Sequence, residues 1–304
     1  MGIGEKSAYV HNRVVLAWLA ILFLSTLAGC KQGASASHDI AFVGGDVHRG
    51  EYLAKAYCCL ECHTVRQTDG IHLNDKLRFA GGVPIPGFGG SVVHTANVTI
   101  TSQYQEQLLD NIIRGRLAYK FGMPTTLYNE MAADDMRDII AYLKTLEPIR
   151  QPLPDDLLPP GLVLPAPNPD VPVPEHAPPP GTVKHGEYLA RMVLCMDCHS
   201  PRDSTGAYAQ GHHYEGGGFQ EPLPNGHLLV AQNLTSDPGT GLGAWSDAEI
   251  VRAIRMGIAR DGRQLSPEMP SAVAFHDLTD QDVTDIVHFL RTLKPVNRSW
   301  PAGQ

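Results

Sequence analysis

Two pentapeptides carry the chemistry of this 304-residue chain. Cys59-Leu60-Glu61-Cys62-His63 and Cys195-Met196-Asp197-Cys198-His199 both read Cys-x-x-Cys-His, the attachment pattern of a c-type haem. Two thiols one helical turn apart can reach the two vinyl groups on one edge of a porphyrin and form thioethers. The adjacent His is then held beneath the iron as proximal ligand. Competing chemistries fit less well. A redox dithiol needs neither the His nor a second copy, and a closed tetrahedral zinc site requires a second ligand pair that neither half supplies. Cys58 offers a second register with Cys62, but only Cys59 aligns with Cys195, and Cys58 reads as a buried thiol.

An iron that only passes electrons takes a sixth ligand, and methionine in that place raises the reduction potential. Met123-Pro124 and Met269-Pro270 are the candidates. Proline biases the residue before it away from the helix, so each Met should sit on a loop ahead of the last helix of its half. Met131 is a rival in the first half, and His94, His212 and His213 are alternates for axial binding. Met136 falls on an apolar helix face and reads as core.

The elements that position these groups occur twice. Gly50-Glu51-Tyr52-Leu53-Ala54 recurs as Gly186-Glu187-Tyr188-Leu189-Ala190, Asn97 and Thr99 recur as Asn233 and Thr235, and the two Met-Pro pairs correspond. We therefore expect an all-α protein of two tandem domains, 45–147 and 182–298. Residues 148–181 form the linker and hold more than half of the chain's 24 prolines. Such a strap is extended and irregular, and at ~3.1 Å per residue it could span on the order of 100 Å or lie along a domain surface. Met136, Ile139, Ile140 and Leu143 keep helical spacing, as do Val283, Ile286, Val287 and Leu290, with Thr279 and Asp282 as a capping signal. Leu108, Leu109, Ile112 and Ile113 mark another helix, answered by Ile250, Val251 and Ile254. The Gly/Pro-rich tracts 80–90 and 211–226 read as loops, with room for a short strand pair. Arg114 and Arg255 read as members of solvated helix faces, the alternative being a role against haem propionates.

The first residues form a targeting segment. A positive stretch precedes the apolar run Val14–Leu27, which is of signal-peptide length and short for a spanning helix. Leu27-Ala28-Gly29-Cys30 resembles the bacterial lipobox, which implies cleavage after residue 29 and lipid on Cys30, with residues 30–44 as a tether. An uncleaved signal anchor is the alternative. Either places the remainder outside the cytoplasm, on the periplasmic side of a bacterial membrane. A net charge of −8 argues against nucleic acid as a partner.

Residues 45–297 as a whole resemble tandem class I cytochrome c domains, in particular the haem subunits of bacterial membrane-associated alcohol or aldehyde dehydrogenases. The likeness rests on the Gly-Glu-Tyr-Leu-Ala segments, on Asn97-Val98-Thr99 and Asn233-Leu234-Thr235, on Thr240–Asp247, and on Met-Pro ahead of the last helix. It implies two haem c groups ligated by His63 with Met123 and His199 with Met269. It also implies electron relay from a dehydrogenase toward a quinone or terminal oxidase. The chain departs in having two such domains where those subunits commonly have three, and its first copy lacks the Gly-Leu-Gly-Ala-Trp segment. An electron-transfer protein is the leading reading. A catalytic dihaem protein of the peroxidase or thiosulfate dehydrogenase type is the alternative, and it would need one iron to be open or differently ligated.

Overall fold

In the first half, α1 (Val47–Ala56) starts where the Asp46 carboxylate accepts the backbone N–H groups of His48 and Arg49, at 2.9 and 3.1 Å. The chain then passes through Cys58 in the left-handed region, with φ of 61°, into the single turn α2 (Cys59–Cys62). The loop that follows carries an antiparallel pair, β1 (Pro84–Pro86) and β2 (Val92–His94). After a 3-10 turn at Val98–Gln103 come α3 (Glu106–Ile113), the short α4 (Thr125–Tyr128) and α5 (Ala133–Leu143). This description comes from a computed structural model and covers residues 42–301 apart from 71, 87–90, 118–121, 161–165, 205 and 224–225. The expected leader, Cys30 and most of the tether lie outside the described residues.

The second half repeats the order. α6 (Val183–Met192) is capped by Thr182, and α7 (Cys195–Cys198) is entered through Leu194 at φ 65°. β3 (Gln220–Pro222) and β4 (Leu228–Val230) form the second hairpin. α8 (Asp247–Met256) starts on a capping box formed by Ser246 and Glu249. A π turn at Ser271–Phe275 stands where the first half has α4, and α9 (Asp280–Thr292) ends the half. Thr279 caps α9 by accepting from the Asp282 amide at 3.1 Å, as the sequence signal required. The first strand of each pair falls in a tract read as a loop and the second strand lies just beyond it, and each strand is three residues long.

Two helix crossings build the core. α1 packs on α5 and α6 on α9. The contact is closest at Gly50 and Gly186, where a Cβ would lie 1.9 Å from the carbonyl oxygens of Asp138 and Asp285. Only glycine permits that approach. Met136, Ile139, Ile140 and Leu143 are buried with Leu53 and Ala54, and Val283, Ile286, Val287 and Leu290 with Leu189 and Ala190. The helical spacing of the sequence therefore identified the inward faces.

The proline-rich segment follows the first half. Leu157 exchanges backbone hydrogen bonds with Val92, both at 2.8 Å, and Asn168 donates to the carbonyls of Arg114 and Gly115. The amides of Ala133 and Asp134 donate to Pro174 and Glu175, so the strap also satisfies the open first turn of α5.

The described residues lie in one compact unit, within which the two halves meet. α2 contacts the π turn, and α4 contacts α6. Reciprocal polar contacts join them. Tyr52 donates to Asp282 and accepts from the Thr279 amide, while Tyr188 donates to Asp135 and accepts from the Ala132 amide.

Candidate metal centres

The left-handed residue before each cysteine turns the chain so that Cys59 and Cys62, and likewise Cys195 and Cys198, open and close one helical turn. The His63 amide donates to the Cys59 carbonyl and the His199 amide to the Cys195 carbonyl, both at 2.9 Å. All four cysteines are free and half-buried, as is Cys58 except that it is fully buried. Burial pushes each of the four motif thiols up to about 12, so they are neutral near pH 7. Cys62 adds to the upward push on Cys198, which brings the two motifs into one electrostatic neighbourhood.

The histidines are oriented alike. His63 Nδ1 lies 2.7 Å from the Ala96 carbonyl and His199 Nδ1 2.6 Å from the Gln232 carbonyl. A proton held on Nδ1 by a carbonyl leaves the Nε2 lone pair for a metal. Burial depresses both imidazoles, which keeps them in the neutral, metal-binding form.

The accepting carbonyls are fixed by the Asn-x-Thr pairs. Asn97 Nδ2 donates to the Ile149 carbonyl and Asn233 Nδ2 to the Val296 carbonyl, both at 2.8 Å. Each Asn Oδ1 accepts from the amide of its Thr, and each Thr hydroxyl accepts an amide from the same returning segment. The repeat therefore has a stapling role beside each histidine.

Met123 and Met269 sit on matching turns. The Met123 carbonyl accepts the Thr125 amide at 2.8 Å and the Met269 carbonyl the Ser271 amide at 2.7 Å. Pro124 (φ −78°, ψ 51°) and Pro270 (φ −77°, ψ 40°) stand at the centres of inverse γ-turns. Both methionines are half-buried against the apolar core that also receives Cys59, Cys62 and Cys195. Met131 and Met136 are fully buried core residues. His94 neighbours Asp156, His212 neighbours Glu215, and His213 lies edge-on to Tyr208.

Charges flank the motifs. Glu61 pairs with Arg66, and Asp197 pairs with Arg202 at 2.5 Å and accepts from Tyr208 at 2.6 Å. Burial raises Glu61, Arg66 opposes that shift, and Glu268 of the second half adds to it. The reading of Arg114 as part of a solvated face is corrected. It is fully buried, because Asp110 and three backbone carbonyls compensate its charge. Arg255 is partly exposed and donates to the Leu278 carbonyl.

Two neutral thiols one turn apart, an imidazole presenting Nε2 and a half-buried thioether make a donor set that fits a c-type haem in each half. Residues 183–294 match the family model for cytochrome c. This segment is a cytochrome c domain. The likeness to curated proteins extends beyond this segment. The chain is 27% identical to the cytochrome c subunit of a quinone alcohol dehydrogenase from Gluconacetobacter polyoxogenes, over 94% of this chain and 63% of that protein. It is 28% identical to the fructose dehydrogenase cytochrome subunit of Gluconobacter japonicus, over 81% of this chain and 52% of that one. A dihaem c-type cytochrome of Cereibacter sphaeroides is 29% identical over 39% of this chain and 38% of its own length. The chain thus spans roughly half to two-thirds of the dehydrogenase subunits that it resembles.

The sequence did not reveal the carbonyls of Ala96 and Gln232, since backbone acceptors leave no residue-type signal. The repeated Asn-x-Thr directly after them was the available clue. Tyr52 and Tyr188 pack their rings against the core and carry their hydroxyls to the junction of the halves.

Proposed function

We propose that the chain is a two-haem c-type cytochrome that relays electrons from a periplasmic or membrane-associated dehydrogenase toward the respiratory chain. The observation that carries this reading is the duplicated Cys-x-x-Cys-His turn, each copy with its His Nδ1 on a backbone carbonyl. In this reading residues 45–147 and 182–298 are two cytochrome c domains joined by the strap. Cys59 and Cys62, and Cys195 and Cys198, attach the haems, while His63 with Met123 and His199 with Met269 are the axial pairs. Lipid on Cys30 holds the protein at the membrane.

Haem iron would supply one-electron oxidation and reduction. The chain's own contribution is positional. Ala96 and Gln232 hold the imidazole tautomer, the Met-Pro turns aim a soft sulfur inward, and the apolar core excludes water. The matched turns in both halves support relay over a catalytic dihaem protein, which would need one open iron. Contacts between α2 and the π turn favour passage between the two centres without a second partner. The acidic chain suits brief encounters with a partner presenting a basic patch.

Mass spectrometry of protein matured in a cytochrome c-producing host tests this. The expected result is a gain of two haems that resist acid–acetone extraction, together with no rapid carbon monoxide binding by the reduced protein. A dehydrogenase of the alcohol, fructose or gluconate type should then reduce both haems. Loss of all colour on extraction would overturn the reading, and fast carbon monoxide binding at one haem would favour the catalytic alternative.

A further inference from the structure

The two methionine turns share a backbone shape and differ in what holds them. Arg114, at the C-terminal end of α3, has no exposed surface. Its Nε donates to Asp110 Oδ1 at 2.6 Å, and its Nη1 donates to the carbonyls of Tyr128, Asn129 and Met131 at 3.3, 2.9 and 2.9 Å. Those three carbonyls end α4, which begins two residues after Met123. The strap reinforces the same point, since Asn168 binds the Arg114 carbonyl and Asn129 Nδ2 donates to Pro169 at 3.0 Å. A guanidinium is a planar fork of donors, so one buried Arg can hold several carbonyls in fixed relative positions.

Its counterpart in the second half is weaker on every count. Arg255 is a quarter exposed and reaches only the Leu278 carbonyl, at 2.6 Å, and its carboxylate partner Asp280 is almost wholly exposed. Solvent screens such a pair. Val251 of α8 corresponds to Asp110, so no buried carboxylate backs the guanidinium. The strap has no equivalent here. Beside the Arg255 bond, Ser271 Oγ donates to the Ala253 carbonyl of α8 at 3.2 Å. The turn itself is π-helical, with the amides of Val273, Ala274 and Phe275 sharing the Pro270 carbonyl. Single π turns of this kind concentrate where a backbone serves function.

We infer that Arg114 is a positioning residue that locks the Met123 turn, and that the second iron exchanges its methionine for an external small ligand more readily than the first. This rests on the proposed methionine ligation. Exchange requires the turn to move aside, so the apparent affinity for an incoming ligand falls by the fraction of time the turn is open. Three buried charge-assisted bonds oppose that movement in the first half, against two part-buried bonds in the second of which one is charge-assisted, and this makes the first centre the more resistant.

The test is titration of the full dihaem protein, in the ferric state, with imidazole as the entering ligand. The readout is the long-wavelength charge-transfer band of methionine-ligated ferric haem. The band should disappear in two equal steps separated by about tenfold or more in imidazole. In Met123→Ala the remaining band should vanish entirely in the low step, and in Met269→Ala entirely in the high step. Arg114→Gln should move the high step down toward the low one. Should that variant fail to fold, Arg114→Lys keeps the charge, loses the fork and should show the same movement. One common step in the wild type, or the reverse assignment of the steps, overturns the inference. A wild-type protein with no such band would refute the methionine ligation itself, a different failure.

Discussion

Tyr188 of α6 donates its hydroxyl to Asp135 Oδ2 of α5 at 2.6 Å, from one half of the chain to the other. Tyr52 makes the same bond to Asp282 in the opposite direction, and each tyrosine oxygen also accepts the amide three residues before its aspartate. The junction is therefore self-complementary, an arrangement that a duplicated domain produces when two copies face each other about a two-fold axis. Asp135 is fully buried and shared with Tyr57 and Arg49.

Tyr188→Phe keeps the ring but removes a donor to a buried carboxylate and an acceptor for the Ala132 amide. The expected cost is about 1–3 kcal/mol in urea unfolding, since the buried Asp135 keeps Tyr57 and Arg49 but loses one donor, and the buried Ala132 amide is left unpaired. Tyr52→Phe should cost less, because the Thr279 amide that it leaves is exposed and Asp282 is only part-buried. Unchanged midpoints in both variants would show that the junction adds nothing to stability.

Gly186→Ala separates helix propensity from packing. At an open helix position the change would stabilise by roughly 0.5–1 kcal/mol. Here the new methyl would meet the Asp285 carbonyl at 1.9 Å, so α6 must move off α9. Overpacking against a backbone should destabilise by about 1–3 kcal/mol, and the sign of the shift in thermal midpoint decides the matter.

The helical faces and the cysteine turns were legible because their signals are local. Spacing of Ile139, Ile140 and Leu143 reports a face directly, and two cysteines with a histidine declare themselves by position. What a side chain meets across the fold is not local. Arg114 reads like any basic residue near a helix end, and nothing adjacent says that it is enclosed by the carbonyls of Tyr128, Asn129 and Met131. Tyr52 and Tyr188 likewise look like core residues, since their partners lie in the other copy. The strap's course depends on Asn168 and Leu157 finding backbone partners, which proline content alone does not specify.

Asp285 gives the protein an acid-sensitive point. Burial pushes its carboxyl up, but His185, the Gly181 amide and the Gln281 amide donate to the ionised form and leave it below the ordinary carboxylate value. A depressed folded value means that the stabilisation is fully present above the unfolded pKa of about 4 and is lost as pH falls through the lower folded one. Urea midpoints should therefore decline below roughly pH 4 in the wild type, and decline less steeply in Asp285→Asn. Equal slopes would mean that this carboxylate contributes nothing to acid unfolding.

Asn233→Ala removes three bonds at once, one accepted from the Thr235 amide at 2.9 Å, one donated to the Val296 carbonyl at 2.8 Å and one donated to the Thr240 hydroxyl at 3.0 Å. The first caps a turn and the second staples the segment that returns from α9. Together they should be worth about 1–2 kcal/mol. Because the Gln232 carbonyl precedes Asn233, the same change should loosen the acceptor that holds His199 Nδ1. The ring N–H of His199 should then exchange with solvent faster, read by NMR on the reduced protein, while Asn97→Ala does the same to His63. Asn297→Ala is the control, since Asn297-Arg298-Ser299 has similar residue types but lies outside the repeat, and the change should move stability by less than about 0.5 kcal/mol. Faster exchange at neither histidine would mean that the carbonyls of Ala96 and Gln232 are held by the surrounding backbone alone.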